Sequence, residues 1–80
     1  MKIRVEVKRR PEVADPQGAT VLRALHDLGF SEVQSTRFDR TITIELDGSD
    51  PEVARSRVEE MCRRLLANPV IEDYVIEVEP

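Results

Sequence analysis

The sequence has few of the residues from which metal sites and disulfides are built. It contains one cysteine, one histidine, one tyrosine, two phenylalanines and no tryptophan. A structural zinc site needs four cysteine or histidine ligands, so an ordinary one cannot form within this chain. Cys62 cannot form an internal disulfide, and a small domain without disulfides is typical of a reducing compartment. We therefore expect a cytosolic protein without a metal site.

The chain also lacks a long apolar run and a basic excess. No apolar stretch approaches the ~18 residues that span a bilayer, and the first residues lead into an alternating pattern instead of a signal peptide. The net charge is −4, which repels nucleic-acid phosphates and anionic lipid. Gly18 and Gly48 are isolated, so there is no glycine-rich phosphate loop. We expect neither nucleic acid nor a membrane among its partners.

The composition is that of a folded, highly charged chain with a small core. Hydrophobic residues make up 40% of the 80 residues and charged residues 35%. A chain of this size buries only about 60 to 65% of the surface that its unfolded form exposes. The core is therefore marginal, and self-association or docking to a partner is expected.

Alternating apolar and polar residues predict β-strands. Residues 3–7, 41–46 and 74–79 alternate clearly, which indicates strands with one buried face. Residues 32–38 alternate poorly but contain Val, Thr and Phe, which favour strands. We predict a strand there too, joined to the next by a tight turn at Asp39-Arg40.

Two segments with apolar residues at helical spacing predict helices. The first covers residues 16–28, with Asp15 as its N-cap, a proline in the first turn and Gly29 as its stop. The second begins after Ser49 or Asp50 and ends at Asn68-Pro69, because proline cannot continue a helix.

The predicted order of elements is β-α-β-β-α-β, which is the split βαβ or ferredoxin-like arrangement. This α+β fold has a four-stranded antiparallel sheet with both helices on one face. No linker or repeat divides residues 1–80, so we expect a single domain. The sheet face without helices should be amphipathic and suited to a wet partner interface.

Candidate catalytic groups are few, and each has a simpler explanation. Cys62 lies within the apolar stripe of the second helix, which predicts an inert buried thiol, and His26 is expected at the surface of the first helix. Glu59-Glu60 precede Arg63-Arg64 by four residues, the spacing of helix salt bridges. We predict no catalytic, cofactor-binding or metal-ligating residue in this chain.

Two short segments resemble a known family. These are Asp15-Pro16-Gln17-Gly18 and residues 65–74, whose sequence is LLANPVIEDY. Together with Glu32-Val33-Gln34, Arg37 and Glu60-Met61-Cys62, they are similar to the PurS family, the small subunit of formylglycinamide ribonucleotide amidotransferase. The likeness runs almost end to end in spacing. At the hairpin the family commonly has Val-Arg-x-Gly-Lys where this chain has residues 36–40, TRFDR, which puts the turn type in doubt.

The resemblance implies a non-catalytic, ferredoxin-like subunit of purine biosynthesis. Such a subunit joins a glutaminase subunit to an ATP-dependent synthetase subunit and forms a homodimer or homotetramer. The assembled complex uses ATP, Mg²⁺ and glutamine, while the small subunit itself carries no cofactor. We take five residues as candidates for partner contact: Asp15, Gln17, Arg37, Arg40 and Asn68. For Asp15 the alternative role is that of a helix cap, and for Asn68 it is that of a helix stop.

Other function classes share this order of elements. An ACT-like regulatory module binds amino acids near the first loop and helix, but the first loop here, residues 9–12, has no glycine for close ligand approach. An acylphosphatase-like enzyme needs an anion-cradling loop after the first strand, which Pro11 and Glu12 fit poorly. An RNA-binding RRM stacks bases on aromatic residues in its central strands, where this chain has isoleucine and valine.

Overall fold

The computed structural model describes residues 1–79, which form one three-stranded sheet and two helices. The elements in chain order are β1 (Lys2–Arg9), α1 (Pro16–Asp27), β2 (Arg40–Glu45), α2 (Pro51–Met61) and β3 (Glu72–Glu79). A π-helical turn, Cys62–Leu66, prolongs α2. The sheet is antiparallel with the strand order β2-β1-β3. The predicted α+β class is confirmed.

The core lies between the sheet and α2. The alternation in β1 buries Ile3, Val5 and Val7 completely, and these side chains face Val58 and Cys62 of the second helical segment. Strand β1 is central because it pairs along its length with both neighbours; Ile3, for example, lies opposite residue 44 on one side and residue 78 on the other. Burial of these branched side chains supplies most of the hydrophobic stabilisation.

The helix ends follow the local signals in the sequence. The side chain of Asp15 accepts the backbone N–H of Gly18 and caps α1, and Asp50 caps α2 by accepting the N–H of Glu52. Gly29, just beyond α1, has a φ of +100°, the left-handed conformation that favours glycine. These predictions are confirmed, and Asp50 is the cap of the second helix.

The fourth strand predicted at residues 32–38 is wrong. Residues 33–39 belong to no helix or strand and pair with no strand of residues 1–79, and the predicted turn at Asp39-Arg40 is absent. A two-residue hairpin turn needs positive φ at its centre, which Asp and Arg adopt poorly, and in the described chain only glycines have positive φ. The chain instead runs from residue 33 to residue 45 without a bend.

The prediction that both helices cover one sheet face is also wrong. α2 packs on the sheet, whereas α1 makes no substantial contact with any described strand. Residues 33–39, here called the returning segment, lead back from α1 to β2. Together with α1 they form an arm, residues 16–39, that extends from the sheet. The protein measures 49 × 26 × 14 Å, and its radius of gyration is 16.2 Å. A compact chain of this length has a radius near 12 Å, by the scaling ~2.2·N^0.38. The straight segment carries α1 away because the hairpin does not close.

The uncovered sheet face is polar and carries its own ion pairs. Arg4 lies 3.6 Å from Glu77 and 3.0 Å from Glu79, between guanidinium nitrogen and carboxylate oxygen. Val75 is the exposed apolar side chain of this face. Exposed ion pairs of this kind contribute little stability, so they mainly keep this face solvated.

The charged pairs predicted on the second helix are present. Arg63 lies 3.4 Å from Glu59, and Arg64 lies 3.1 Å from Glu60. All four side chains are largely solvent-exposed, so each pair is worth about 0.3 to 0.5 kcal/mol. These carboxylates therefore belong to a solvated helix surface and not to an acid-base pair.

Candidate functional site

The candidate chemical groups of the sequence, His26 and Cys62, lie far apart in the structure. Within residues 1–79, no group of three or more His, Cys, Asp or Glu side chains could hold a metal ion, and no helix is long and apolar enough to cross a membrane. His26 lies on the arm, and its Nε2 is 2.7 Å from the carbonyl oxygen of Val33. Cys62 lies in the core beneath the sheet. The two side chains therefore occupy different parts of the molecule.

We predict that Cys62 is unreactive in the native protein. Its side chain is completely buried, and burial, together with the nearby Glu59 carboxylate, raises the pKa of the thiol. A thiol reagent should label it only under denaturing conditions. Cys62→Ser should lower the free energy of unfolding by about 1 to 3 kcal/mol, because the buried serine hydroxyl would lack a good hydrogen-bond partner. Rapid labelling of folded protein by an aromatic disulfide reagent would contradict this prediction.

Asp15 joins the beginning of the arm to its end. Its Oδ1 accepts the N–H of Gly18 at 3.0 Å, and its Oδ2 accepts the N–H of Phe38 at 2.8 Å. These two backbone hydrogen bonds, the one from Phe38 first, lower the pKa of the Asp15 carboxyl, and the positive charges of Arg9 and Arg37 add to the effect. Asp15 is thus both a helix cap and an anchor for the returning segment.

Gly18 is the point of closest approach between α1 and the returning segment. The hydroxyl of Thr36 donates a hydrogen bond to the carbonyl oxygen of Gly18. A Cβ at residue 18 would lie less than 3.0 Å from the carbonyl oxygen of Thr36 and 2.8 Å from Oδ2 of Asp15. Only glycine fits this contact, which explains why the fourth residue of the Asp15-Pro16-Gln17-Gly18 segment is a glycine.

Two arginines connect the arm to the end of the sheet. Arg37 donates from Nη2 to the carbonyl oxygens of residues 9 and 10, at 3.1 and 3.2 Å. Arg10 in turn donates to the carbonyl oxygens of residues 69 and 70, at 2.9 and 3.1 Å, and pairs with Asp73 at 3.1 Å. The returning segment, the end of β1 and the turn before β3 are therefore tied together.

A second network fixes the turn after the π-helical segment. Arg40 donates to both carboxylate oxygens of Glu72, at 2.7 and 3.0 Å, and to the carbonyl oxygen of Leu66 at 2.6 Å. Glu72 also accepts the backbone N–H of Asn68 at 2.8 Å, and its side chain is only 9% exposed. The hydrogen bonds from Arg40, and then the one from Asn68, lower the pKa of the Glu72 carboxyl.

The structure gives most of the candidate contact residues an intramolecular role. Asp15, Arg37 and Arg40 form the bonds described above, and Oδ1 of Asn68 accepts the N–H of Val70 at 3.0 Å. Gln17 is exposed on the first turn of α1. The structure brings Asp15 and Arg37 to the base of the arm and Arg40 and Asn68 to the Glu72 network. Their contact with partner subunits stays a prediction.

Sequence reasoning missed Glu72 and Arg10. A signal for Glu72 was present, because it stands in phase with residues 74, 76 and 78, which face the core. A carboxylate at a core-facing position requires a charged partner. No comparable signal marked Arg10, whose bonds go to backbone carbonyls distant in sequence.

Comparison with known proteins identifies the family. The model of the family described as "PurS: Phosphoribosylformylglycinamidine (FGAM) synthase" matches residues 2–80. The PurS subunit of phosphoribosylformylglycinamidine synthase from Methanocaldococcus jannaschii is 45% identical over 98% of this chain and 94% of its own length.

Solved structures agree with this match. The crystal structure of Methanocaldococcus jannaschii PurS, one of the subunits of formylglycinamide ribonucleotide amidotransferase, superposes with a TM-score of 0.87 at 44% identity, covering 98% of this chain and 94% of that one. A chain in the structure of PurLQS from Thermotoga maritima gives 0.85 at 33% identity, with coverages of 95% and 93%. This chain therefore belongs to the PurS family, the small subunits of phosphoribosylformylglycinamidine synthase.

Proposed function

We propose that this chain is the non-catalytic subunit that joins the glutaminase and synthetase subunits of phosphoribosylformylglycinamidine synthase in purine biosynthesis. The observation that carries the proposal is the full-length likeness to a chain of the PurLQS assembly. Family membership favours this function over the ACT-like and acylphosphatase-like alternatives.

In this role the subunit provides binding surfaces for its partner subunits and no catalytic groups. The assembled enzyme uses ATP, Mg²⁺ and glutamine to transfer the amide nitrogen of glutamine to formylglycinamide ribonucleotide, and this subunit binds none of them. It works in the cytosol, where its single thiol stays reduced. Residues 1–80 act as one PurS domain.

The turn between α2 and β3 is the best candidate for subunit contact. Leu65 is 83% exposed and Val70 is 76% exposed, although both are apolar. Arg10 and Arg40 fix the backbone of this turn through bonds to carbonyl oxygens 66, 69 and 70. A rigid turn that presents apolar side chains loses little conformational entropy on binding, which favours an interface. Arg40 and Asn68 line this turn, while Asp15, Gln17 and Arg37 mark a second contact region at the base of the arm.

The protein also associates with itself, as a homodimer or homotetramer. An 80-residue chain with one helix on its sheet buries too little apolar surface to be very stable alone. The apolar residues Leu28, Phe30 and Phe38 of the arm are exposed. Self-association would remove such side chains from water.

We predict that the pure protein has no turnover and that it is required for the assembled activity. It should release no ammonia from glutamine, whereas adding it to the glutaminase and synthetase from the same cell should yield glutamine-dependent amidation of the ribonucleotide. A matched pair of variants tests the contact region: Leu65→Asp should weaken capture of the two subunits in a pull-down, while Val53→Asp, at an exposed position of α2, should not. Ammonia release by the subunit alone, or full activity without it, would sink the proposal.

A further inference from the structure

Strand β3 forms one edge of the sheet, and its outward-facing backbone groups can be identified. The backbone N–H of Arg10 donates to the carbonyl oxygen of Ile71 at 2.9 Å, which continues the pairing of β1 with β3. Because hydrogen-bonding direction alternates along a strand, the odd-numbered residues of β3 bond to β1. The N–H and C=O groups of residues 74, 76 and 78 therefore point away from β1, along the edge.

The regular shape of β3 makes it a strand that could pair with a further chain. All eight residues pair with β1 in continuous register, without a bulge, and none of them is a proline. Residues 74–78 have the sequence YVIEV, in which aromatic and β-branched residues dominate. A long, regular edge strand of this kind pairs with other chains unless it is protected.

The acidic side chains of β3 protect the edge only in part. In an antiparallel pair of two β3 strands centred on residue 76, Asp73 would lie opposite Glu79 of the second copy. Like charges directly opposite are destabilising. Within the subunit, however, Glu79 already pairs with Arg4 at 3.0 Å. Asp73 pairs with Arg10 at 3.1 Å, so the repulsion between two β3 strands is partly neutralised.

Arg55 of α2 occupies the middle of this edge. Its Nη1 donates to the carbonyl oxygen of Ile76 at 3.0 Å, and this carbonyl is one of the groups that point away from β1. A strand added to β3 would have to place a backbone N–H at the same oxygen. The guanidinium group therefore stands where the backbone of an added strand would lie.

Helix pairing does not explain the position of Arg55. Glu52 precedes it by three residues and Glu59 follows it by four, the spacings at which helix salt bridges form. Within residues 1–79, however, Arg55 pairs with no carboxylate, whereas the other three arginines of the α2 segment each pair with a glutamate. Arg55 is thus directed at the sheet edge although carboxylates are available along the helix.

We propose that Arg55 closes the β3 edge against pairing with a second copy of this chain. A sheet that could pair at both of its edges would add copies one after another into an open filament. A sheet whose β3 edge is closed cannot grow in this way. A subunit that joins two other proteins needs a defined number of copies, and Arg55 enforces that limit. The inference goes beyond the self-association proposed above, because it assigns a surface from which further copies are excluded.

Replacing Arg55 by alanine tests this role. Arg55→Ala should form species larger than the wild-type oligomer in sedimentation velocity, and this further association should have a dissociation constant at least about tenfold lower than in wild type. Arg57→Ala is the matched control, because it removes the same charge from the same helix. Arg57 pairs with Glu60 at 3.9 Å on the helix surface, so this variant should sediment like the wild type.

A second substitution distinguishes pairing of β3 strands from aggregation of a destabilised protein. Val75 is 52% exposed and would lie opposite Glu77 of the second copy in the pairing centred on residue 76. Adding Val75→Glu to Arg55→Ala should therefore restore the wild-type sedimentation, because it places like charges opposite each other. Adding Val53→Glu, an equal charge at an exposed position of α2, should not. Wild-type sedimentation of Arg55→Ala, or equal rescue by both glutamates, would overturn the proposal.

Discussion

Replacing Gly18 by alanine should lower the melting temperature by about 10 to 20 °C. The added Cβ would meet the carbonyl oxygen of Thr36 at less than 3.0 Å, so the returning segment must move away from α1. Overpacking against a backbone atom typically costs 1 to 3 kcal/mol or more, and each kcal/mol shifts the melting temperature by about 4 to 8 °C in a domain of this size. Thermal unfolding followed by circular dichroism measures the effect.

The sign of this result is informative because helix propensity predicts the opposite. Alanine is favoured over glycine within a helix by about 1 kcal/mol. Gln17→Ala, at an exposed position one residue earlier, is the matched control and should leave the melting temperature within a few degrees. Stabilisation by Gly18→Ala would mean that Thr36 of the returning segment does not contact α1 in solution.

Replacing Glu72 by glutamine should cost about 2 to 3 kcal/mol in the free energy of unfolding at pH 7. The substitution removes the charge that accepts two hydrogen bonds from Arg40, and charge-assisted hydrogen bonds are worth about 1.5 to 3 kcal/mol. Arg40 is half-exposed, so water partly compensates the lost partner. Glu60→Gln, which breaks an exposed pair with Arg64, is the control and should cost no more than about 0.5 kcal/mol. Urea titration measures both.

The cost of Glu72→Gln should depend on pH in a defined direction. Arg40 and the N–H of Asn68 lower the pKa of the folded Glu72 carboxyl below its unfolded value of about 4.3. Its contribution is therefore full above the unfolded pKa and is lost as pH falls through the folded pKa. The difference between wild type and variant should shrink when urea titrations are repeated near pH 3. A difference that stays constant from pH 7 to pH 3 would show that the charge of Glu72 is not what stabilises the turn.

Local patterns predicted the elements whose environment is determined by nearby residues. The alternation of β1 and β3 is correct because both strands bury one face against α2. The helix starts at Asp15 and at Ser49 or Asp50 are correct because capping involves only the next few residues, and Asp50 is the cap of α2. The α+β class could be predicted in this way.

The position of the arm could not be predicted, because it depends on one connection. The strand-favouring residues at 32–38 predicted a fourth strand, yet whether that segment pairs with the sheet depends on the φ angles near Asp39. The aspartate at residue 39, where the family commonly has glycine, marked this connection as unusual. It did not show that the chain would continue without a turn. The requirement for glycine at residue 18 depends on the same connection, since Thr36 approaches α1 only in the returning segment.

The arm is attached to the sheet at its base, so a small rotation there moves its far end over a larger distance. α1 has 12 residues and is therefore about 18 Å long at ~1.5 Å per residue, and the bonds of Asp15 and Arg37 lie at the sheet end of it. A rotation of about 10° at this base would displace Gly29 at the tip by roughly 3 Å, which is as long as a hydrogen bond. The hydrogen bonds of Asp15 and Arg37 at the base therefore determine how accurately the far end of α1 is positioned, in a subunit whose longest dimension is 49 Å.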